Sequence, residues 1–85
     1  MRIREISPQS NWVLSVVADD GRTGDFDVSS YLAYEAFEPL KDHAEFLKVL
    51  NGGYFVEWDC GADLSADTIE ARWRPVGKAE LRRTA

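Results

Sequence analysis

From the N-terminus, apolar positions fall first at strand spacing. Residues 2–6, "RIREI", alternate imperfectly around Ile3 and Ile6, and Ser7-Pro8 stops the run. Residues 12–18, "WVLSVVA", form a stronger strand pattern, rich in β-branched and aromatic side chains. "DDG" and then "RTGDFDV" follow. A two-residue Asp20-Gly21 turn would set Leu14 opposite Asp27 and Val16 opposite Asp25, placing carboxylates beside aliphatics. A three-residue Asp19-Asp20-Gly21 loop instead sets Leu14 opposite Phe26 and Trp12 opposite Val28. It also puts Gly21 at the left-handed position that a type I turn with a bulge requires. This register leaves Ser15, Asp25 and Asp27 on the solvent face of a one-sided antiparallel sheet. A three-stranded meander is therefore expected up to Val28.

The spacing then changes. "SSYLAYEAFEPLKD" reads as a connector with one or two short helical turns, capped by Ser29 or Ser30 and restarted at Pro39. "DHAEFLKVLNGG" predicts the main helix. Asp42 is its N-cap, Glu45 stands in the capping-box position, and Phe46, Val49 and Leu50 recur at helical spacing. Asn51-Gly52-Gly53 ends it. "YFVEWDC" is a later strand, with Val56 and Trp58 on one face, Glu57 and Asp59 on the other, and Cys60 on the side of Trp58. "SADTIEARWR" fits both periods. Ser65 as N-cap and Asp67 in the first turn favour a short C-terminal helix. Pro75 and Gly77 end the folded part. The expectation is one compact α+β domain over residues 1–74, with a basic, flexible tail over 75–85. Its small antiparallel sheet combines the N-terminal meander and the later strand, packed with one main helix and the short last one.

Composition sharpens this reading in three ways. The 85 residues are 45% hydrophobic and 29% charged, proportions of an ordinary globular domain with a thin core. A single cysteine cannot form an internal disulfide, which points to a reducing, cytoplasmic setting. No apolar run is long enough for a membrane span. The net charge of −5 is uneven: residues 1–71 carry 5 basic and 14 acidic groups, whereas the remainder carries 5 basic and 1 acidic. An acidic body repels phosphates, so nucleic-acid binding by it is disfavoured.

Chemistry-bearing residues are sparse. "EWDCGADLSAD", residues 57–67, gathers Glu57, Asp59, Asp63 and Asp67 around Cys60 and Gly61. Counted from Asp59, it echoes a calcium loop that closes at Glu70, but Gly61 falls at a ligand position and Leu64 at the glycine position. A strand end, a turn and a helix cap account for it better. One cysteine and one histidine cannot build a four-ligand zinc site, and His43 reads as a solvated residue in a helix's first turn. No cofactor is implied. The aromatic residues exceed what a small core needs. Phe55 points opposite to Val56 and Trp58, and Tyr31 and Tyr34 lie in the connector, an arrangement suited to a protein partner.

The order of these residues resembles a known family. An aliphatic strand ending in Asp20-Gly21 leads to Phe26-Asp27, Phe37, "PLKD" at 39–42, Phe46 and Val49. "VEW" at 56–58, Gly61 and "ADLSADTI" at 62–69 complete it. The pattern is similar to the small bacterial domain of unknown function 2442, across about residues 3 to 72. Asp59 and Cys60 depart from its usual Trp-Pro and small or polar residue. The resemblance implies a compact α+β domain without an established activity. Some members stand alone, some precede a helix-turn-helix domain, and some are encoded beside another small protein in a toxin–antitoxin-like arrangement. The 11 residues after Arg74 are too few for a helix-turn-helix.

The expected function is a non-enzymatic protein-interaction module, the antitoxin-like half of a small two-protein system, with a basic partner. Its candidate contact residues are Asp25, Asp27, Phe55, Trp58, Asp59 and Asp63. The alternative is a metal-dependent or acid/base enzyme, or a small-ligand binder, using the Asp59–Asp67 loop. An exposed strand edge could also pair two copies of the chain.

Overall fold

The computed structural model of the protein describes residues 1–78. Strands β1 (Ile3–Pro8), β2 (Val13–Ala18) and β3 (Arg22–Asp27) form the expected meander. Leu14 lies opposite Phe26, and the three residues Asp19-Asp20-Gly21 make the loop, with Gly21 at φ 92°. Burial selects this register. Leu14, Val16, Phe26 and Val28 are all buried, while Asp27 is exposed and Ser15 and Asp25 are half-buried.

Between β1 and β2 the chain reverses through Trp12, whose φ of 62° lies in the left-handed region that a bulky residue rarely adopts. Its side chain holds it there. The indole Nε1–H donates to the Leu40 carbonyl at 2.7 Å, and the ring meets His43 edge-on at 4.8 Å. His43 is thus half-buried rather than solvated, and its Nε2 lies 3.1 Å from the Gln9 carbonyl.

Two 3₁₀ segments, Ser29–Tyr31 and Glu35–Lys41, form the connector. The expected main helix is much shorter than its pattern: α1 spans only His43–Phe46. Asp42 caps it as read, accepting from the Ala44 N–H at 3.1 Å, but Glu45 turns to Lys48 instead of closing a capping box. The ladder breaks directly after Leu47, where the Lys48 N–H donates to the Glu45 carbonyl and not to that of Ala44, and contacts from later in the chain hold the new course. In a continued helix the Phe46 carbonyl would accept from the Leu50 N–H. Here it accepts from the Trp58 indole at 2.9 Å. Leu50–Asn51 form β4, paired with Glu57 and Val56 of β5 (Phe55–Glu57).

The later strand therefore joins a second sheet, ordered β4-β5-β6, with β6 spanning Asp63–Ser65. Helix α2 (Ala66–Arg72) follows, with Ser65 as N-cap accepting from the Thr68 N–H at 3.0 Å. The expected end of the fold at Pro75 is corrected. Arg74–Lys78 form β7, antiparallel to β3, so the first sheet runs β1-β2-β3-β7. Pro75 is tolerated because β7 is an edge strand, where a missing N–H need not break a ladder. The rest of the expected tail, 79–85, lies outside the described residues.

One apolar cluster joins both sheets and both helices, with Leu14, Phe26, Leu40, Phe46, Val56, Trp58, Ile69 and Trp73 among its members. The fold class is α+β. The sheets are stitched together at β1, where the Ile3 N–H donates to the Gly53 carbonyl at 2.7 Å and Asn51 Nδ2 donates to the Ile3 carbonyl at 3.2 Å.

Glu70 ties α2 to β3. It accepts from Arg22 at 2.8 Å and from the Met1 ammonium at 3.2 Å. These hydrogen bonds, the one from Arg22 first, hold its carboxyl below the ordinary glutamate range. A depressed carboxylate stabilises the fold fully above that range, and the contribution is lost as pH falls through the folded value. Glu70→Gln is expected to flatten the acid limb of a Tm–pH profile by a small amount, since the pair is exposed. Superimposable acid limbs for Glu70→Gln and the parent would contradict this assignment.

Candidate interaction surface

The six residues singled out from sequence separate into three groups. Asp25 and Asp27 are engaged by their own chain. Asp25 pairs with Arg74 at 3.0 Å and accepts from Ser15 Oγ at 3.4 Å. Asp27 accepts from the Ser29 N–H at 2.9 Å and from Ser29 Oγ at 2.6 Å, closing the turn after β3. Trp58 is 3% exposed, with its indole committed to the Phe46 carbonyl, so its ring is core and presents no surface. Phe55, Asp59 and Asp63 remain exposed.

Two of these three share a face. In the β5–β6 ladder, Phe55 lies opposite Ser65, Val56 opposite Leu64, and Glu57 opposite Asp63. Val56 and Leu64 point into the core, so the alternate positions Phe55, Ser65, Glu57 and Asp63 form the outer face. Leu50 of β4 stands opposite Glu57 and joins that face. Flanking backbone bonds fix the ladder's phase. The Ala66 N–H donates to the Tyr54 carbonyl at 2.8 Å, and the Trp58 N–H to the Ala62 carbonyl at 2.9 Å. Glu57 and Asp63 are therefore a non-hydrogen-bonded pair, the kind in which facing side chains approach most closely.

Like charges directly opposite in a sheet repel. No cation of the described residues forms an ion pair with either Glu57 or Asp63. Beside them Leu50 is 52% exposed and Phe55 is 39% exposed. The Phe55 ring lies flat over Gly52, where a Cβ would collide with it. The surface is thus an acidic pair flanked by an aliphatic and a backbone-supported aromatic side chain. Sequence reading found Phe55 and Asp63 but missed Leu50, which it placed on a helix face. It also left Glu57 as an ordinary solvent-facing residue.

Asp59 and Cys60 belong to the turn after β5. The strand ends at Glu57, and the Gly61 N–H closes the turn onto the Trp58 carbonyl at 2.9 Å, with Gly61 at φ 97°. Strand alternation stops there, so Cys60 is exposed, not a small core residue. Asp59 adds its field to that of Glu45 and Asp42 around Lys48, whose ammonium is held above its ordinary value, mainly by the Glu45 hydrogen bond.

Asp59, Asp63 and Asp67 are spread over the turn, β6 and the first turn of α2. Among the described residues no three His, Cys, Asp or Glu side chains gather as a metal site would require, and no hydrogen bond joins Cys60 to His43. Among them, too, no helix is long and apolar enough to cross a membrane.

The fold and this face define a small α+β domain with an open, acidic and partly aromatic sheet surface. Over residues 3–75 the chain matches the family described as Protein of unknown function (DUF2442), and it belongs to that family. No curated protein and no solved structure matches it.

Proposed function

We propose that this domain is a non-catalytic protein-interaction module, the antitoxin-like half of a small two-protein system working in the cytoplasm. The partner is a basic protein that docks on Leu50, Phe55, Glu57 and Asp63. The observation that carries this reading is the Glu57–Asp63 couple, which has no ion-pair partner among the described residues, beside exposed Phe55 and Leu50. A lysine or arginine from a partner would supply a counter-charge to the two facing carboxylates, while the two apolar side chains would be desolvated next to it. The net charge of −9 over residues 1–71 would speed encounter with a basic surface.

Capture of the tagged protein's partner from native lysate, at low and at high salt, tests the reading. The expected result is one small basic protein, close to one-to-one at low salt and lost at high salt. Retention indifferent to salt and to Asp63→Lys would overturn it.

A further inference from the structure

We infer that the cleft between the Ser29–Tyr31 turn and the end of α2 binds a small oxyanion carried on a planar ring, an aryl phosphate or aryl carboxylate. The cleft holds about 340 Å³ and is lined by Ser30, Tyr31, Tyr34, Thr68 and Arg72. That volume falls within the usual ~300–1,000 Å³ of small-ligand sites. Every polar side chain in this lining can donate a hydrogen bond, and none is a carboxylate. In a chain with 14 acidic groups in its first 71 residues, such a lining stands out.

Arg72 supplies the charge. Arg2, Arg22, Arg74 and Lys48 each pair with a carboxylate; Arg72, like Arg4 and Lys41 outside the cleft, forms no ion pair among the described residues. Its planar fork matches two oxygens of a carboxylate or phosphate. Thr68 is prepared as a second donor. Its hydroxyl oxygen accepts from Ser65 Oγ at 3.0 Å, and that bond does not use its own proton. The hydroxyls of Ser30, Tyr31 and Tyr34 have no hydrogen-bond partner among the described residues.

The planar group follows from the wall. Tyr34 is 62% exposed and stands edge-on to Tyr31, with ring centroids 6.0 Å apart. Tyr31 is in turn fixed against Phe26 at 5.7 Å and Phe37 at 5.3 Å. A rigid aromatic wall beside a guanidinium favours a ligand that offers both a ring and an oxyanion. An adjoining cleft of about 380 Å³ shares Ser30, Tyr31 and Arg72 but adds Asp27, whose carboxylate repels anions. The oxyanion therefore sits on the Tyr34 side.

The site shares no residue with the Leu50–Phe55–Glu57–Asp63 surface, and its failure would leave the partner proposal standing. The test is an amide chemical-shift titration of the whole protein with phenyl phosphate, benzoate and inorganic phosphate. Saturable shifts centred on Ser30, Tyr31, Tyr34, Thr68 and Arg72 are expected, with an aryl probe binding more tightly than inorganic phosphate. The stronger of phenyl phosphate and benzoate identifies the oxyanion. Arg72→Gln should weaken binding about tenfold or more, the loss typical of hydrogen bonds to charged groups. Arg4→Gln, an exposed arginine outside the cleft, should leave it unchanged. No saturable shift with any probe at millimolar concentration, shifts centred elsewhere, affinity unaltered in Arg72→Gln, or equal binding of inorganic phosphate would each overturn the proposal.

Discussion

Trp58→Ala is expected to remove about 3–5 kcal/mol of stability, the range for deleting a buried aromatic side chain. A domain of 85 residues has a stability toward the low end of ~5–15 kcal/mol, so this variant should be largely unfolded on warming. The size of the effect follows from what the ring holds together. It stacks on Phe46 with centroids 6.1 Å apart and meets Phe37 edge-on at 6.2 Å. Its indole also takes the carbonyl at which α1 stops. Trp58→Phe separates these roles by keeping most of the ring area and deleting the donor. It leaves the buried Phe46 carbonyl unpaired, at a cost of about 1–3 kcal/mol. Urea denaturation of both variants measures the two contributions. If Trp58→Phe were as stable as the parent, the indole–carbonyl bond would contribute nothing to the fold.

Gly24→Ala is the second large effect, at about 1–3 kcal/mol of destabilisation. A Cβ at Gly24 would stand 2.5 Å from Cδ2 and Cε3 of Trp73, and the ring is not free to give way. Trp73 is buried, and the Arg22 guanidinium lies over it, 5.7 Å from the ring centroid. Because no positive φ is involved at Gly24, the cost is steric rather than conformational. It should therefore shrink when the obstacle is removed. In a double-mutant cycle with Trp73→Leu, a coupling of about 0.5–3 kcal/mol is expected for groups in direct contact. Additive losses would show that Trp73 does not pack on the β3 backbone.

What could be read from sequence was what depends on neighbours along the chain. The loop at Asp19-Asp20-Gly21, the Leu14–Phe26 register, the Asp42 cap and the Ser65 cap of α2 all follow from local spacing and turn chemistry. What escaped depends on distant residues. The Phe46-Val49-Leu50 spacing is helical, yet Leu50 pairs with Glu57 in a second sheet, and the Trp58 indole, twelve positions after Phe46, bonds its carbonyl. Pro75 and Gly77 read as breakers, yet β3 offers an edge with Gly24 opposite Pro75, and β7 forms there. The site divides along the same line. Phe55 was legible because strand alternation placed it outward, whereas Asp63 read as a turn residue and its place on β6 was not legible. The self-pairing of Asp25 was not either, because Arg74 reaches it only once β7 has added to the sheet. Trp58, named as a contact residue, keeps the core face it shares with Val56, whereas Cys60 leaves the side of Trp58 because the strand ends at Glu57 and a turn follows.

On the proposed reading, the partner docks on the outer face of the second sheet, not on the carboxylates of the first. The most direct test is titration calorimetry of the captured basic partner against Asp63→Lys and Asp25→Asn, both at low salt. Both positions lie outside the core, so neither change should unfold the domain. Asp63→Lys is expected to weaken binding by about tenfold or more, as a like charge facing a basic partner costs several kcal/mol. Asp25→Asn should bind as the parent does, because its carboxylate already belongs to Arg74. Unchanged affinity in Asp63→Lys together with a large loss in Asp25→Asn would place the docking surface on the first sheet and contradict the account.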